Sequence, residues 1–194
     1  MSNEARSDGR VRCGWAGSNP LMMAYHDTEW GVPVHSDRKH FEFLVLDAFQ
    51  AGLSWAIVLK KREAFRRAFD GFDPVKIARY RAPRLARLAR DESIIRNRLK
   101  IAGTVANARA FLAVQDEYGS FDEFVWDFVD GVTRHNRWKT MKQIPASTKQ
   151  SDQLSKALKQ RGFTFVGSTI CYAYMQAAGL VHDHLLSCFR HGKL

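Results

Sequence analysis

Cysteine is scarce in this chain, with only three in 194 residues. So small and odd a number argues against a disulfide framework and favours the reducing environment of the cytoplasm. Long apolar runs are lacking as well: nowhere do 18 apolar residues follow one another, so we expect no membrane-spanning helix. The polar residues 1–10 contain no apolar stretch of the kind found in signal peptides, and we expect a flexible tail there.

Acidic residues are too few to balance the basic ones. The chain has 30 Lys and Arg against 20 Asp and Glu, which gives a formal net charge of +10. Such a surplus attracts polyanions, nucleic acids among them, although a basic surface that serves only solubility gives the same count. Because 45% of the residues are hydrophobic, the chain can bury an ample core, and we expect a single domain over 11–194.

The apolar residues recur mostly at helical spacing, which predicts an all-α fold. Ser36 can cap one helix, and Ser54 can cap a second that runs to about Phe69. Gly52 lies between them, so we expect a tight turn that joins the two helices. Further helices are predicted to begin at Pro74 and Asn97 and to cover 83–90, 121–129, 151–162 and 168–179.

Two segments do not follow the helical pattern. Residues 163–166 are predicted to form the only strand, and residues 131–148 resemble a linker. The linker is polar and carries four basic side chains, Arg134, Arg137, Lys139 and Lys142. A mobile surface loop and a DNA-contacting loop are both open interpretations.

Four residues near the two ends of the chain make a plausible tetrahedral zinc set: Cys13, His26, His184 and Cys188. Zinc readily takes two thiolates and two imidazoles, and a helix would direct His184 and Cys188, spaced i, i+4, at the same ion. The spacing alone is weak evidence, and composition alone favours a buried Cys13 and two surface histidines. Three further residues near the C-terminal end are rival ligands: His182, His191 and Cys171.

Several unconnected motifs occur along the chain. They are Cys-Gly-Trp at 13–15, Ala-Tyr-His-Asp-Thr-Glu-Trp-Gly at 24–31, Leu-Asp-Ala-Phe-Gln-Ala-Gly-Leu-Ser-Trp at 46–55, Ile-Ile-Arg at 94–96, Asn-Ala-Arg-Ala at 107–110, Phe-Thr-Phe-Val-Gly-Ser-Thr-Ile-Cys-Tyr at 163–172 and Gly-Leu-Val-His-Asp-His at 179–184. Together they resemble the 3-methyladenine DNA glycosylase I family over nearly the whole chain, from Val11 to Cys188. The resemblance is specific because chance does not place so many motifs in the right order.

The resemblance implies a helix-hairpin-helix DNA repair enzyme, all-α, with a structural zinc ion that joins the N- and C-terminal segments. The four terminal residues Cys13, His26, His184 and Cys188 fall on the family's zinc ligands. This assignment demotes the rival ligands His182 and His191.

The family's DNA-binding hairpin falls on residues 91–98. Ser93 and Leu99 stand where glycines are usual, so the backbone of this hairpin differs from the family's pattern. Arg96, Arg98 and Lys100 lie beside it and are expected to contact DNA phosphates.

The resemblance also implies that the damaged nucleotide swings out of the duplex while the protein fills the gap. Leu53 falls on the family's wedge, and Gly52 falls on the point of close backbone approach. Trp15, Tyr25 and Trp55 fall on aromatic positions of the base pocket, although the same spacings without the family would indicate core residues. An alkylated purine is cationic, and a cation–π contribution of roughly 0.5–2 kcal/mol favours it over a normal base.

Three pocket positions depart from the family's pattern. Asp47 replaces the usual glutamate that meets the purine edge, Met22 replaces a second tyrosine, and Phe49 stands where glutamine is frequent. Asp47 is the candidate catalytic residue, expected to recognise the base and to stabilise the developing sugar cation. The altered pocket leaves a shifted adduct preference open.

The function implied is the excision of 3-methyladenine from alkylated double-stranded DNA. A monomer with one structural zinc ion would flip out the base and hydrolyse its N-glycosidic bond, without a lysine Schiff base. One alternative is a module that senses alkylated bases without cutting, and release of free base separates the two. A second alternative is a zinc hydrolase of small molecules, which would show little dependence on DNA.

Overall fold

The structure is a computed structural model that describes residues 8–193. The α-helices of this range are α1 (Pro20–Thr28), α2 (Asp37–Gln50), α3 (Trp55–Ala68), α4 (Pro74–Ala78), α5 (Ala82–Leu88), α6 (Arg98–Tyr118), α7 (Phe121–Trp126), α8 (Lys149–Gln160) and α9 (Ser168–Ala177). Single 3-10 turns cover Gly14–Ala16, Asp70–Phe72, Asp127–Val129 and Met141–Gln143. The tail expected over 1–10 falls largely on residues 1–7, which lie outside the described range. The prediction of a mostly helical fold is confirmed.

The central element is α2. Every side chain from His40 to Phe49 is buried, whereas a helix on the surface would expose one face. Helices α3, α6, α7 and α9 pack around it. His40 ties α2 to two neighbours, since its Nε2 lies 2.9 Å from Asp122 Oδ1 and its Nδ1 lies 2.7 Å from the Tyr174 hydroxyl. The first turn of α2 is therefore tied to its neighbours, and the rest of the helix is buried down to Phe49.

Helix starts follow the expected capping chemistry only in part. Ser36 and Ser54 occupy the N-cap positions of α2 and α3 as predicted, but neither side chain forms a capping hydrogen bond. The side chains of Asn97 and Asp73 do cap α6 and α4, at the helix starts predicted there.

The cap of α8 is Thr148, three residues before the predicted Ser151, because these two side chains bond reciprocally to each other's backbone amides. Helix α1 was not predicted, although Asn19 caps it and a proline at its first position is a recognised start signal.

The predicted strand over 163–166 is wrong. The Thr164 backbone pairs with a side chain instead of a strand, since its N–H donates to Asn107 Oδ1 (2.7 Å) and its carbonyl accepts from Asn107 Nδ2 (3.0 Å). Phe165 has a φ of +57°, which breaks the extended conformation. Residues 163–166 therefore form an irregular segment whose backbone is held by an asparagine side chain.

The strands of the described residues are β1 (Arg134–His135) and β2 (Val181–His182). They pair in parallel, with Arg134 opposite Val181. The predicted linker 131–148 contains β1, so this segment is attached to the C-terminal segment of the chain. Within residues 8–193, no helix combines the length and apolar content needed to cross a bilayer.

Candidate active site

The turn between α2 and α3 presents an apolar side chain to solvent. Gly52 has a φ of +81°, a left-handed conformation that glycine adopts without strain. The Leu53 amide closes the turn by donating to the Gln50 carbonyl (2.6 Å). The Leu53 side chain is left 40% exposed at the tip. The predicted tight turn with an outward leucine is present.

Lys100 supports this turn from inside the protein. The residue is only 7% exposed, and its Nζ donates to the carbonyls of Phe49 (3.0 Å) and Ala51 (2.6 Å). These carbonyls end α2 and have no partner within the helix, and they lie at the negative end of the helix dipole. The prediction that Lys100 contacts DNA phosphates is therefore wrong. Arg96 is exposed between α5 and α6, with Nη1 3.0 Å from Glu92 Oε1.

We expect Lys100→Met to lower the melting temperature without changing the salt dependence of DNA binding. Methionine keeps much of the buried stem but loses both charged hydrogen bonds, a loss of about 1.5 to 3 kcal/mol. For a chain of this size the shift is roughly 3 to 12 °C. Thermal unfolding and binding titrations at several salt concentrations measure the two effects. An unchanged melting temperature with a weaker salt dependence would restore the phosphate role.

A cavity of about 650 Å³ lies beside the last turn of α2. Five predicted base-binding or catalytic residues line it: Trp15, Met22, Tyr25, Asp47 and Trp55. Phe49 does not. It is fully buried in the apolar core, with its ring centroid 4.7 Å from that of Phe65, because residue 49 points away from the helix face that carries residues 47 and 50. Gln50 lines the cavity in its place.

Aromatic rings form much of the cavity wall. The Tyr25 and Trp55 centroids are 5.2 Å apart and the rings are tilted by 48°. The Trp15 centroid lies 6.2 Å from that of Tyr25 on the other side. Faces of this kind attract flat ligands by stacking, and cationic ones by the charge distribution of the rings.

Two polar groups of the cavity wall lack partners within the described chain. Asp47 is 2% exposed, and its Oδ2 accepts no hydrogen bond within the described chain. The Trp55 indole N–H donates no hydrogen bond within the described chain either. Burial raises the pKa of Asp47 well above its usual value, while the charge of Arg62 acts in the opposite direction. Buried polar atoms without partners are rare in native proteins. A ligand that offers both a donor and an acceptor would satisfy the two groups.

The four predicted metal ligands come together near the cavity. All are buried, and their ligand atoms lie within 4.8 Å of one another. The Cys188 Sγ lies 3.4 Å from His26 Nε2 and 3.5 Å from His184 Nδ1, and the Cys13 Sγ lies 3.7 Å from His184 Nδ1. Ideal tetrahedral zinc bond lengths place a sulfur and a nitrogen ligand about 3.5 Å apart. The cluster has the dimensions of a metal site.

The helix predicted to direct His184 and Cys188 at the ion is not formed. Residues 183–188 are irregular and turn, with the Cys188 amide donating to the Leu185 carbonyl (2.8 Å). The turn brings the imidazole and the thiol as close together as a helix would. The predicted proximity holds for a different structural reason.

Outer hydrogen bonds orient both imidazoles of the cluster. His26 Nδ1 lies 2.8 Å from Asp27 Oδ1, and Asp27 is held in turn by the Arg12 guanidinium (2.7 Å). His184 Nε2 donates to the Trp30 carbonyl (3.1 Å). In each neutral imidazole the proton lies on the nitrogen that makes this outer bond. The other nitrogen faces the cysteines without a proton, as metal ligation requires.

The two thiols also favour a cation between them. A hydrogen bond to Cys188 raises the pKa of Cys13, and the same bond lowers the pKa of Cys188, so without a cation only one thiolate forms readily. A divalent ion removes this penalty. The rivals lie outside the cluster: His182 Nε2 accepts from Gly192, His191 Nδ1 donates to the His184 carbonyl, and Cys171 donates to the Val166 carbonyl.

The metal cluster and the cavity share their walls. Trp15 lines the cavity and lies with its ring edge against His26, at a centroid distance of 5.3 Å. Trp30 also lines it and meets His184 at 4.7 Å. Two aromatic side chains of the cavity wall are therefore packed directly against metal-ligand imidazoles.

One wall of the cavity was not predicted. Helix α9 contributes Thr169, Tyr172, Ala173 and Gln176, which have the i, i+3, i+4, i+7 spacing of one helix face. The uncommon pairing of a tyrosine and a glutamine on this face was a usable signal in the sequence. Residues 141–146 of the predicted linker add a further part of the wall.

The fold and the site together define a class of protein. A helical chain with an aromatic cavity, a buried acid without a partner and a strongly basic composition is a helical binding protein for a flat or cationic ligand. The chain belongs to the methyladenine glycosylase family, whose sequence profile matches residues 15–191.

Individual relatives match over nearly their whole length. The chain is 51% identical over 177 residues to DNA-3-methyladenine glycosylase 1 of Escherichia coli, covering 91% of this chain and 95% of the relative. It is 45% identical over 178 residues to the DNA-3-methyladenine glycosylase of Haemophilus influenzae, covering 92% and 96%.

Solved structures agree with the sequence comparison. A crystal structure of 3-methyladenine DNA glycosylase I, 51% identical, superimposes with a TM-score of 0.91 and covers 93% of this chain and 100% of its own. The Staphylococcus aureus enzyme, 34% identical, gives the same TM-score over 94% of this chain and 97% of its own. Its structure was described as the basis of 3-methyladenine recognition.

Proposed function

We propose that this protein is a monofunctional DNA-3-methyladenine glycosylase of base excision repair. It flips an alkylated adenine out of double-stranded DNA and hydrolyses its N-glycosidic bond. The observation that carries the proposal is the buried carboxyl group of Asp47. It lines an aromatic cavity and has an oxygen without a hydrogen-bond partner in the described chain, and the chain belongs to the methyladenine glycosylase family.

The cavity suits a cationic purine better than a neutral one. The rings of Trp15, Tyr25 and Trp55 supply faces that attract positive charge. Asp47 accepts hydrogen bonds from the purine edge, and its negative charge is stabilised once a cation replaces the missing partner. An unmodified adenine offers no such charge, so burial of the ionised carboxylate beside it is costly.

The chemistry needs little acid catalysis because an alkylated base is already a good leaving group. Asp47 faces the reacting nucleotide and stabilises the positive charge that develops on the sugar as the bond breaks. Among the described residues none that lines the cavity is a lysine, and Lys100 is engaged by backbone carbonyls. Water is therefore the attacking group, as expected for a monofunctional enzyme.

The proposed DNA face combines the α2–α3 turn with the helix-hairpin-helix segment 91–98. Lys61 Nζ donates to the carbonyls of Glu92 (3.0 Å) and Ser93 (2.9 Å), which ties the hairpin to α3. Ser93 stands where a glycine is usual in the family, and its own φ is not positive. The Ser93 amide donates to Asp91 Oδ1 (2.9 Å). Leu53 enters the gap in the duplex and Arg96 meets a phosphate.

The cluster of Cys13, His26, His184 and Cys188 is proposed to hold one structural zinc ion per chain. Four protein ligands leave no open position for substrate, so the ion supplies a cross-link and no chemistry. The proposed enzyme acts as a monomer.

We expect Leu53→Ala to reduce excision from duplex DNA by about tenfold or more, since the wedge that offsets unstacking is lost. The slope of log affinity against log salt should stay the same. Arg96→Ala should instead flatten that slope by roughly 0.9, the contribution of one phosphate contact. Val75→Ala, at a side chain of similar exposure on α4, is the control for both measurements. A Leu53→Ala enzyme with full activity on duplex DNA would contradict the wedge.

Identification of the bases released from methylated duplex DNA tests the proposal. We expect free 3-methyladenine and an intact sugar-phosphate backbone. Tight binding without release would indicate a sensor, and hydrolysis of small molecules with no DNA requirement would indicate a zinc hydrolase. Preferential release of a different alkylated base would keep the reaction and change the adduct.

A further inference from the structure

A second buried carboxylate lies behind the cavity and belongs to Asp183. The side chain is fully buried and accepts four hydrogen bonds from side chains. Its Oδ2 accepts from the Tyr172 hydroxyl (2.5 Å) and from Gln176 Nε2 (2.8 Å). Its Oδ1 accepts from Asn136 Nδ2 (2.7 Å) and from the Trp138 indole N–H (2.9 Å).

The two oxygens serve different parts of the cavity wall. Tyr172 and Gln176 lie on α9 and line the cavity themselves. Asn136 and Trp138 do not line it, but they belong to the segment 131–148, whose residues 141–146 do. One carboxylate therefore joins the helical wall to the irregular wall.

Only a carboxylate can accept all four bonds. An ionised aspartate has about four acceptor positions on two oxygens, whereas an asparagine has one acceptor oxygen and presents an NH₂ group in place of the other. No lysine, arginine or N-terminal partner forms an ion pair with Asp183 in the described chain, so the buried charge is stabilised by these hydrogen bonds alone. Burial and the bond to Asp183 raise the pKa of Tyr172, which keeps its hydroxyl a donor at every physiological pH.

We infer that Asp183 is a positioning residue for the base cavity, which fixes α9 and the segment 131–148 at the separation that the flipped base requires. The inference rests on the proposed function, since it concerns the same cavity. Asp183 touches no base. It acts by holding the side chains of Tyr172 and Gln176 in place and by anchoring the loop that completes the wall.

Binding of free 3-methyladenine to Asp183→Asn tests the inference against a matched control. Asp37 is another carboxylate that accepts several hydrogen bonds, from Gln115 Nε2 and from the amides of Phe121 and Asp122, and it does not line the cavity. We expect both asparagine variants to melt at lower temperature. Below both melting transitions, only Asp183→Asn should raise the dissociation constant for 3-methyladenine, by about tenfold or more, because misplaced walls lose near-ideal contacts.

The indole N–H resonance of Trp138 gives a second readout that stability alone does not move. In the parent protein it should shift on addition of 3-methyladenine, because the indole and Tyr172 share one carboxylate. The indole of Trp126, which donates to the Val34 carbonyl, should not shift. Trp138→Phe, which assigns the resonance, should itself weaken 3-methyladenine binding several-fold although Trp138 lies outside the cavity.

The outcomes separate the inference from the proposed function. If the parent binds and excises 3-methyladenine but Asp183→Asn and Trp138→Phe bind it as tightly as the parent, the positioning role of Asp183 is overturned and the function stands. If Asp183→Asn does not fold, Trp138→Phe and Tyr172→Phe decide the question by the same titration. A parent that neither binds nor excises the base overturns the proposed function, and the inference with it.

Discussion

Replacement of Asp47 by asparagine is expected to lower the excision of 3-methyladenine by about tenfold to more than a hundredfold. The change keeps the shape of the side chain but removes the charge that faces a cationic base. A charge-assisted hydrogen bond contributes about 1.5 to 3 kcal/mol, and each 1.36 kcal/mol lost in the transition state is tenfold in rate. Single-turnover excision measures the loss. Binding to undamaged duplex should not change, because Asp47 lies in the cavity wall and is only 2% exposed.

The same substitution should stabilise the fold at neutral pH. The pKa of Asp47 is raised in the folded protein because burial penalises its charged form, so the folded state holds its proton more tightly than the unfolded state. The free energy of unfolding therefore falls as the pH rises from the pKa of Asp47 in the unfolded chain, about 4, to its raised pKa in the folded protein. Asp47→Asn escapes this loss and should melt above the parent at pH 7, with the difference closing near pH 4. Full excision by a more stable variant would remove Asp47 from the mechanism.

Asp47→Glu distinguishes two interpretations of the altered pocket. Glutamate is the side chain that the family's pattern leads one to expect at this position, and Met22 also departs from that pattern. If the cavity is an ordinary 3-methyladenine pocket with a shortened acid, glutamate should preserve or raise activity. If the cavity has been reshaped for another adduct, the longer side chain should clash and lower activity on 3-methyladenine.

Loss of one metal ligand is expected to have the largest effect on stability. Cys188→Ser should abolish binding of zinc and lower the melting temperature by roughly 8 to 20 °C. A cross-link between Cys13 and Cys188 closes a loop longer than 100 residues, for which chain entropy gives roughly 4 to 5 kcal/mol, and each kcal/mol corresponds to about 2 to 4 °C in a chain of this size. Metal analysis and calorimetry measure the two changes.

The control for this substitution is Cys171→Ser. Cys171 is also buried and donates a hydrogen bond to a carbonyl, but it lies outside the metal cluster. We expect this variant to keep one zinc ion per chain and most of its stability. Protein purified without chelator that contains no zinc, or a Cys188→Ser variant with unchanged metal content and melting temperature, would contradict the proposed site.

The sequence predicted the local elements of the fold well. Asn97 and Asp73 cap helices where capping chemistry favours them, and Gly52 marks a turn because only glycine takes its backbone angle freely. The four metal ligands were a plausible set by residue type, and the family resemblance turned that set into an assignment. Asp47 was assigned because it falls where the family's pattern has a glutamate.

Predictions failed where a side chain's role depends on distant chain segments. Lysine is usually a surface residue, yet the Lys100 ammonium group donates hydrogen bonds to two carbonyls that lie about fifty positions earlier in the chain. The segment 163–166 alternates like a strand, but Asn107 on α6 takes its backbone bonds. No local sequence pattern indicated the role of Asp183, because the four side chains that donate hydrogen bonds to it come from two separate segments of the chain. The local periodicity of a sequence does not indicate such contacts between distant segments.

A crystal structure with 3-methyladenine bound would show directly whether the cavity is the base pocket. We expect the base within the cavity, stacked on at least one of Trp15, Tyr25 and Trp55, with its amino edge within hydrogen-bond distance of Asp47. Density for the base elsewhere on the protein, or in the cavity with no contact to Asp47, would contradict the proposed mechanism.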